Sequence, residues 1–209
     1  MNRTSLLLAA VVLIALPLGA QPVFEVTPFL GYSFGSSFDE IGYDNGVIDS
    51  VDVADSETYG LIFNAGNDRG GFEFTWSHQG SDLEVEGVVG AEKDPTFDFS
   101  SDNFQFGGIY YFGRNPKTRP YVNGGLGFAK LEVGNSESDE RFSWSIGGGL
   151  RHDFNERIGV RLQARWVPTY INSDDAYVVC DPWYCYTVAD DNYLYQTEIA
   201  AGLVFRFGR

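Results

Sequence analysis

The chain has 209 residues, a formal net charge of −15, 16% aromatic residues and 25 glycines. That length suits one domain, and so much Phe, Tyr and Gly favours strands and tight turns over a helical bundle. Nucleic acid is excluded as a partner for so acidic a surface, because its phosphates need lysines and arginines to displace their counterions.

The chain opens on an export pattern. Asn2, Arg3 and Thr4 form a short cationic start, Leu6 to Leu18 is apolar, and Leu18, Gly19 and Ala20 supply the small residues that a signal peptidase accepts. The apolar run is shorter than the roughly 20 residues a spanning helix requires. We therefore expect a signal peptide over residues 1–20 and one mature domain over 21–209, with a charge of −16 because Arg3 is the only charged residue of the leader.

From there onward the apolar residues recur with period two, the spacing of half-buried strands. In chain order the apolar faces are Phe24/Val26/Leu30/Tyr32, Tyr59/Leu61/Phe63, Phe72/Phe74/Trp76, Phe104/Phe106/Tyr110/Phe112, Val122/Leu126/Phe128, Phe142/Trp144/Ile146/Leu150, Val160/Leu162/Ala164/Trp166 and Tyr193 to Phe207 at every second residue. This predicts eight strands. Their connections alternate in length: Gly35 to Ser56, Gly80 to Phe97, Gly134 to Glu140 and Tyr170 to Asp191 are long, while Gly66 to Gly70, Gly113 to Arg119 and Asp153 to Arg157 are short. The long connections hold most of the acidic residues and, Lys93 apart, no basic one; Arg69, Arg114, Lys117, Arg119 and Arg157 lie at the short turns. The pattern predicts an all-β, eight-stranded antiparallel up-and-down transmembrane barrel, with short periplasmic turns and longer extracellular loops.

A soluble ligand-binding barrel shows the same alternation with its faces exchanged. The polar face decides between them. It reads Gln105/Gly107, Asn123/Gly125/Gly127 and Ser143/Ser145/Gly147/Gly149, small residues that suit a narrow lumen rather than a Lys- and Glu-rich solvent face. Trp76, Trp144 and Trp166 on the apolar side suit an interfacial girdle.

Five stretches, Phe72 to Gln79 (FEFTWSHQ), Phe106 to Phe112 (FGGIYYF), Arg119 to Gly127 (RPYVNGGLG), Ile146 to Leu150 (IGGGL) and Gln196 to Phe207 (QTEIAAGLVFRF), nearly span the mature chain. In order and spacing they resemble the opacity-protein-like outer-membrane β-barrel family, the small barrels of the OmpA and OmpX type. The resemblance implies an outer-membrane location, assembly by the barrel-insertion machinery and, often, no known activity. The last strand departs from an aromatic ending, since Gly208 and Arg209 follow Phe207.

Candidate sites follow from parity. With Leu162, Ala164 and Trp166 on the lipid side, Arg161 and Arg165 point inward, as does Glu198 on the last strand. A register that sets Ile158 against Phe205 puts Arg165 opposite Glu198, and Glu73 is placed to reach Arg161 across a lumen only wide enough for side chains. These four charges are expected to form one network that closes the lumen. Leu203, Phe205 and Phe207 are the expected assembly signal. Cys180 and Cys185, exported to an oxidising compartment, are expected to form a disulfide in the last long loop.

A catalytic group around His78, Ser77 and Glu73 is disfavoured, since neighbours on a strand point to opposite faces, and His152 reads as a solvated turn residue. Asp49, Asp52 and Asp55, or Asp174 and Asp175, offer oxygen ligands to divalent cations, yet none matches an EF-hand spacing. No enzyme activity, catalytic residue, cofactor or built metal site is expected. The expected partners are outer-membrane lipid and lipopolysaccharide, the insertion machinery and divalent cations at the acidic loops, around a monomer with a structural, adhesive or envelope-integrity role. A narrow solute channel, a lipid-A-modifying enzyme and a soluble exported barrel are the alternatives.

Overall fold

The computed structural model describes residues 23–34, 37–43, 46–86, 96–113, 115–133, 138–171, 177–180, 185–188 and 193–208, with backbone alone in 37–53, 83–86, 96–97, 133, 177–180 and 185–188. The expected signal peptide lies outside the described residues. Twelve strands follow in order: β1 (Val23–Phe34), β2 (Ser37–Tyr43), β3 (Gly46–Val53), β4 (Ser56–Asn67), β5 (Gly70–Glu86), β6 (Thr96–Tyr111), β7 (Thr118–Val133), β8 (Asp139–Asp153), β9 (Ile158–Tyr170), β10 (Tyr177–Cys180), β11 (Cys185–Val188) and β12 (Tyr193–Phe207).

Eight of them close a barrel in the order β5-β4-β1-β12-β9-β8-β7-β6, sealed by the pairing of β6 with β5. Closure removes the sheet edges, so the backbone donors and acceptors of each barrel strand face a neighbouring strand on both sides. The seam joins the two ends of the domain, with Phe24 opposite Phe207 and Tyr32 opposite Ile199. Pro28 and Thr27 drop out of the β1 to β12 ladder, because a proline has no N–H to give.

The outward face is apolar and aromatic. Leu30, Phe106, Leu126, Ile146, Leu162 and Ile199 are exposed in the middle of the wall. At one end Trp166 stacks on Tyr195 with ring centroids 5.6 Å apart and meets Trp144 edge-on at 5.2 Å. At the other, Tyr110 meets Phe112 at 5.0 Å. Two aromatic belts therefore flank a lipid-facing band. The inward face is polar but not uniformly so, since Phe29 packs with Ile62 and Ala200 inside the wall.

Three expectations need correction. The first long connection carries the hairpin β2 and β3, the last carries β10 and β11, and much of Gly80 to Phe97 continues β5 and β6, with Asp82 opposite Asp98 and Glu84 opposite Thr96. No lipid faces these stretches, so nothing enforces the apolar alternation by which the other strands announce themselves. Arg119, expected at a turn, lies on β7 and is buried. His152, expected as a solvated turn residue, belongs to β8, where its Nδ1 is 2.8 Å from Thr118 Oγ1.

Candidate functional site

The lumen is the site the fold builds. Inward positions of the eight strands carry the acidic residues Glu25, Glu73, Asp153 and Glu198 and the arginines Arg119, Arg151, Arg161, Arg165 and Arg206, with the ion pair of Asp139 and Arg141 at the opposite mouth, and no lysine among the described residues. Arginine suits this place because its planar fork holds a carboxylate by two bonds while losing less freedom than a lysine stem.

At mid-height Glu73 receives four hydrogen bonds. Arg161 donates from Nη1 to Oε2 at 2.7 Å and from Nη2 to Oε1 at 3.2 Å, Asn64 donates to Oε2 at 2.8 Å and Asn123 to Oε1 at 2.7 Å. Tyr121 completes the layer: Arg161 Nε donates to its hydroxyl at 2.8 Å, and the guanidinium carbon lies 4.5 Å above its ring. Gly149 makes room for that ring, since a Cβ there would sit 2.8 Å from the Tyr121 hydroxyl and 1.9 Å from the Leu162 carbonyl oxygen.

Next along β9, Arg165 is directly opposite Glu198 on β12, and Ile158 is opposite Phe205. Arg165 donates to Glu198 from Nε at 3.2 Å and from Nη2 at 2.9 Å, and Nη2 also reaches Ser77 at 3.2 Å. Gln163 adds a bond to Glu198 at 3.3 Å. The four sequence-derived charges thus come together as two separate pairs, each with its own neutral partners, and not as one network. Beyond them Gln196 donates to Gln79 at 2.8 Å, and Gln105 donates to Ser143.

A third cluster, at the mouth with the short turns, lies outside the four charges expected from the sequence. Arg151 grips Glu25 from Nη1 at 2.5 Å and from Nη2 at 2.9 Å while its Nε donates to Asp153 at 2.8 Å. Arg206 donates to Glu25 at 2.9 Å and Arg119 to Asp153 at 3.0 Å. Both Arg119 and Arg151 lie over Tyr111, at 4.7 and 5.6 Å from the ring centre. The signal existed, for the parity that turns Phe24, Leu150 and Phe207 to lipid turns Glu25, Arg151 and Arg206 inward.

Ion pairs at three levels thus fill the lumen. Between Glu25, Tyr111, Arg119, Arg151 and Arg206, at the mouth with the short turns, lies a cavity of about 20 Å³, enough for about one water molecule. The arrangement can resist flow and rigidify the wall. Ser77 and His78 do not form a nucleophile–base pair, since Ser77 is buried inside whereas His78 stands on the outer face, hydrogen-bonded to Asp102 at 3.0 Å. Among the described residues no group of three or more His, Cys, Asp and Glu is placed to hold a metal.

The remaining candidates lie elsewhere. Leu203, Phe205 and Phe207 share the lipid face of β12, 51%, 37% and 56% exposed. Cys180 and Cys185 are directly opposed in the β10 to β11 ladder, and their side chains lie outside the described residues. So do the side chains of Asp49 and Asp52, and Asp174 and Asp175 altogether.

Residues 8–207 match the family model described as the outer membrane protein β-barrel domain. The chain belongs to this family. It is a bacterial outer-membrane barrel. Among solved structures it is similar to the outer membrane protein OprG of Pseudomonas aeruginosa, at 14% identity and a TM-score of 0.60, covering 90% of this chain and 96% of that one. It is also similar to Neisserial surface protein A, at 13% identity and a TM-score of 0.56, covering 88% of this chain and 97% of that one. AlkL, solved in lipid bilayers, gives 14% identity and a TM-score of 0.54, with 93% and 95% covered. At these identities the likeness is one of fold. A search of the curated proteins finds no match.

Proposed function

We propose that this outer-membrane barrel is a monomeric structural and adhesive surface protein, whose lumen is closed and whose work is done by its extracellular end. The observation that carries the reading is the packed lumen, where charges at three levels are each paired and hydrogen-bonded. Burying so many charges is costly unless they neutralise one another, and a conducting pore has no need to do so. The acidic extracellular connections then remain as the interactive part, and they carry the charge for divalent cations to bridge to lipopolysaccharide phosphates. The aromatic belts set the depth of the barrel in the lipid.

Planar bilayers and whole cells test this together. Purified barrel should give no stable conductance step, and cells displaying it should bind surfaces or host matrix better than cells with the long loops trimmed. A steady ohmic conductance in wild type would replace this reading with a solute channel. Altered lipid A in expressing cells, read by mass spectrometry, would replace it with an enzyme.

A further inference from the structure

The three short turns repeat one local pattern. They read Asn67-Asp68-Arg69, Asn115-Pro116-Lys117 and Asn155-Glu156-Arg157, an asparagine followed two residues on by a cation. In each, the asparagine Oδ1 accepts from the backbone N–H of the basic residue, at 2.9 Å for Arg69, 2.9 Å for Lys117 and 2.8 Å for Arg157. The backbone carbonyl of the same residue is held by a further strand: Tyr111 N–H of β6 donates to Arg69 at 2.9 Å, Asp153 N–H of β8 to Lys117 at 2.7 Å and Arg206 N–H of β12 to Arg157 at 2.9 Å. An Asx turn requires the asparagine and leaves the side chain two positions on free to vary. Here that position is basic every time and pinned through both of its backbone groups, while all three side chains are exposed.

The turns join β4 to β5, β6 to β7 and β8 to β9, so successive ones lie two strands apart around the rim, about 10 Å measured across the strands. At that spacing each cation meets its own anion. Aromatic rings mark the same level: Phe154 lies in the third turn, Phe112 opens the second and Phe207 ends β12, and all three are exposed. Such a belt sets the rim at the lipid boundary, where headgroup phosphates lie. The acidic residues of the turn tips are Asp68 and Glu156, and Asp68 is drawn toward Arg119 of the mouth at 3.7 Å, so the tips keep a surplus of positive charge. The long connections at the other end are acidic, so anions are favoured at the short-turn end and repelled at its opposite.

We infer that the short-turn rim is a docking surface for anionic phospholipids, with Arg69, Lys117 and Arg157 each positioned by its turn to hold a headgroup phosphate. Outer-membrane barrels keep their short turns on the periplasmic side, so the lipids are those of the periplasmic leaflet. A guanidinium fork takes two phosphate oxygens, and the lysine ammonium meets its phosphate as a point charge. Because the backbone of each cation is already fixed, less freedom is lost when the phosphate binds. This surface lies away from the acidic loops and is independent of the adhesive role.

The test places the full chain in nanodiscs of equal phosphatidylglycerol and phosphatidylcholine and counts, by native mass spectrometry, the lipids retained on the ejected barrel. The second lipid carries the same phosphate beside a cation of its own. Wild type should retain phosphatidylglycerol in at least about fivefold excess, the factor expected from a single surface cation. Arg69→Gln, Lys117→Gln and Arg157→Gln combined should retain the two lipids nearly equally. Lys130→Gln, at the opposite end where Lys130 pairs with Glu132, should match wild type. Asn67→Ala, Asn115→Ala and Asn155→Ala combined keep every charge but release the turns, and should lower the excess. A mobility shift on boiling checks that each variant is folded. Equal retention by wild type, an excess that survives the triple Gln variant, or an equal loss in Lys130→Gln would overturn the docking surface. An excess unchanged in the asparagine variant would overturn the positioning of the cations by their turns.

Discussion

Arg165 and Glu198 face each other across the β9 to β12 ladder, and two nitrogens of the guanidinium reach the two oxygens of the carboxylate at 3.2 and 2.9 Å. Both are almost wholly buried. Removing either leaves the other as an uncompensated charge, so Glu198→Ala and Arg165→Ala should each destabilise the barrel by about 3 to 5 kcal/mol, and the double variant by much less than the sum. Urea unfolding in micelles measures all three. Losses that simply add would mean that the two residues do not act as partners.

How far this pairing could be read beforehand follows from where information sits in a barrel. Parity fixes which side a residue faces, and a hairpin register joins neighbours in sequence, so Arg165 and Glu198 were within reach. The contact of Glu25 with Arg151 joins β1 to β8, which are not neighbours in the wall, and depends on the tilt and closure of the whole barrel. The division of the charges into separate pairs depends on the same closure. The hairpin of β2 and β3 was illegible for a different reason, since outside the membrane no lipid demands one apolar face.

Glu73→Gln looks conservative and should not be. The carboxylate accepts from Asn64, Asn123 and twice from Arg161, whereas an amide would set its own N–H₂ against two of those donors and leave Arg161 unneutralised. We expect a loss of about 3 kcal/mol, comparable with Glu73→Ala. Unfolding of both variants decides it, and a near-neutral Gln variant would show that hydrogen bonding rather than charge holds this layer.

A closed wall with no free strand edge in the membrane should resist SDS. The folded barrel should run at a different apparent mass before and after boiling, because heat is needed to open the ladder. Identical mobility in both lanes would contradict the closed ring of strands.

Cys180 and Cys185 occupy opposed positions of a short antiparallel pair, where Cα atoms lie about 4.5 to 5.5 Å apart, within the span a disulfide bridges. Protein recovered from the outer membrane and denatured without reductant should therefore take up no maleimide, and two equivalents after reduction. So small a ring is worth about 2 kcal/mol, so reduction should leave the barrel folded and loosen only the hairpin. Uptake of two equivalents without reduction would place two free thiols at the surface.

The end of β12 joins assembly to stability, and the two contributions can be separated. Phe205 pairs with Val26 on one side and Ile158 on the other, so the last residues close the seam of the barrel. Phe205 and Phe207 face lipid, the side on which the expected assembly signal lies, whereas Arg206 turns inward to Glu25 and, at 3.5 Å, to Asp153. Truncation before Phe205 removes both contributions and should sharply lower the amount in the outer membrane. The combined substitution Phe205→Ala and Phe207→Ala keeps the lumen intact, so a recognition role predicts a similar fall by immunoblot with little change in unfolding for the molecules that do assemble. Arg206→Ala should behave in the opposite way, with near-normal levels and a loss of about 2 kcal/mol, because Arg151 still neutralises Glu25. If the aromatic variant reaches the membrane at wild-type levels, the lipid face of β12 does not carry the signal, and seam closure accounts for the truncation on its own.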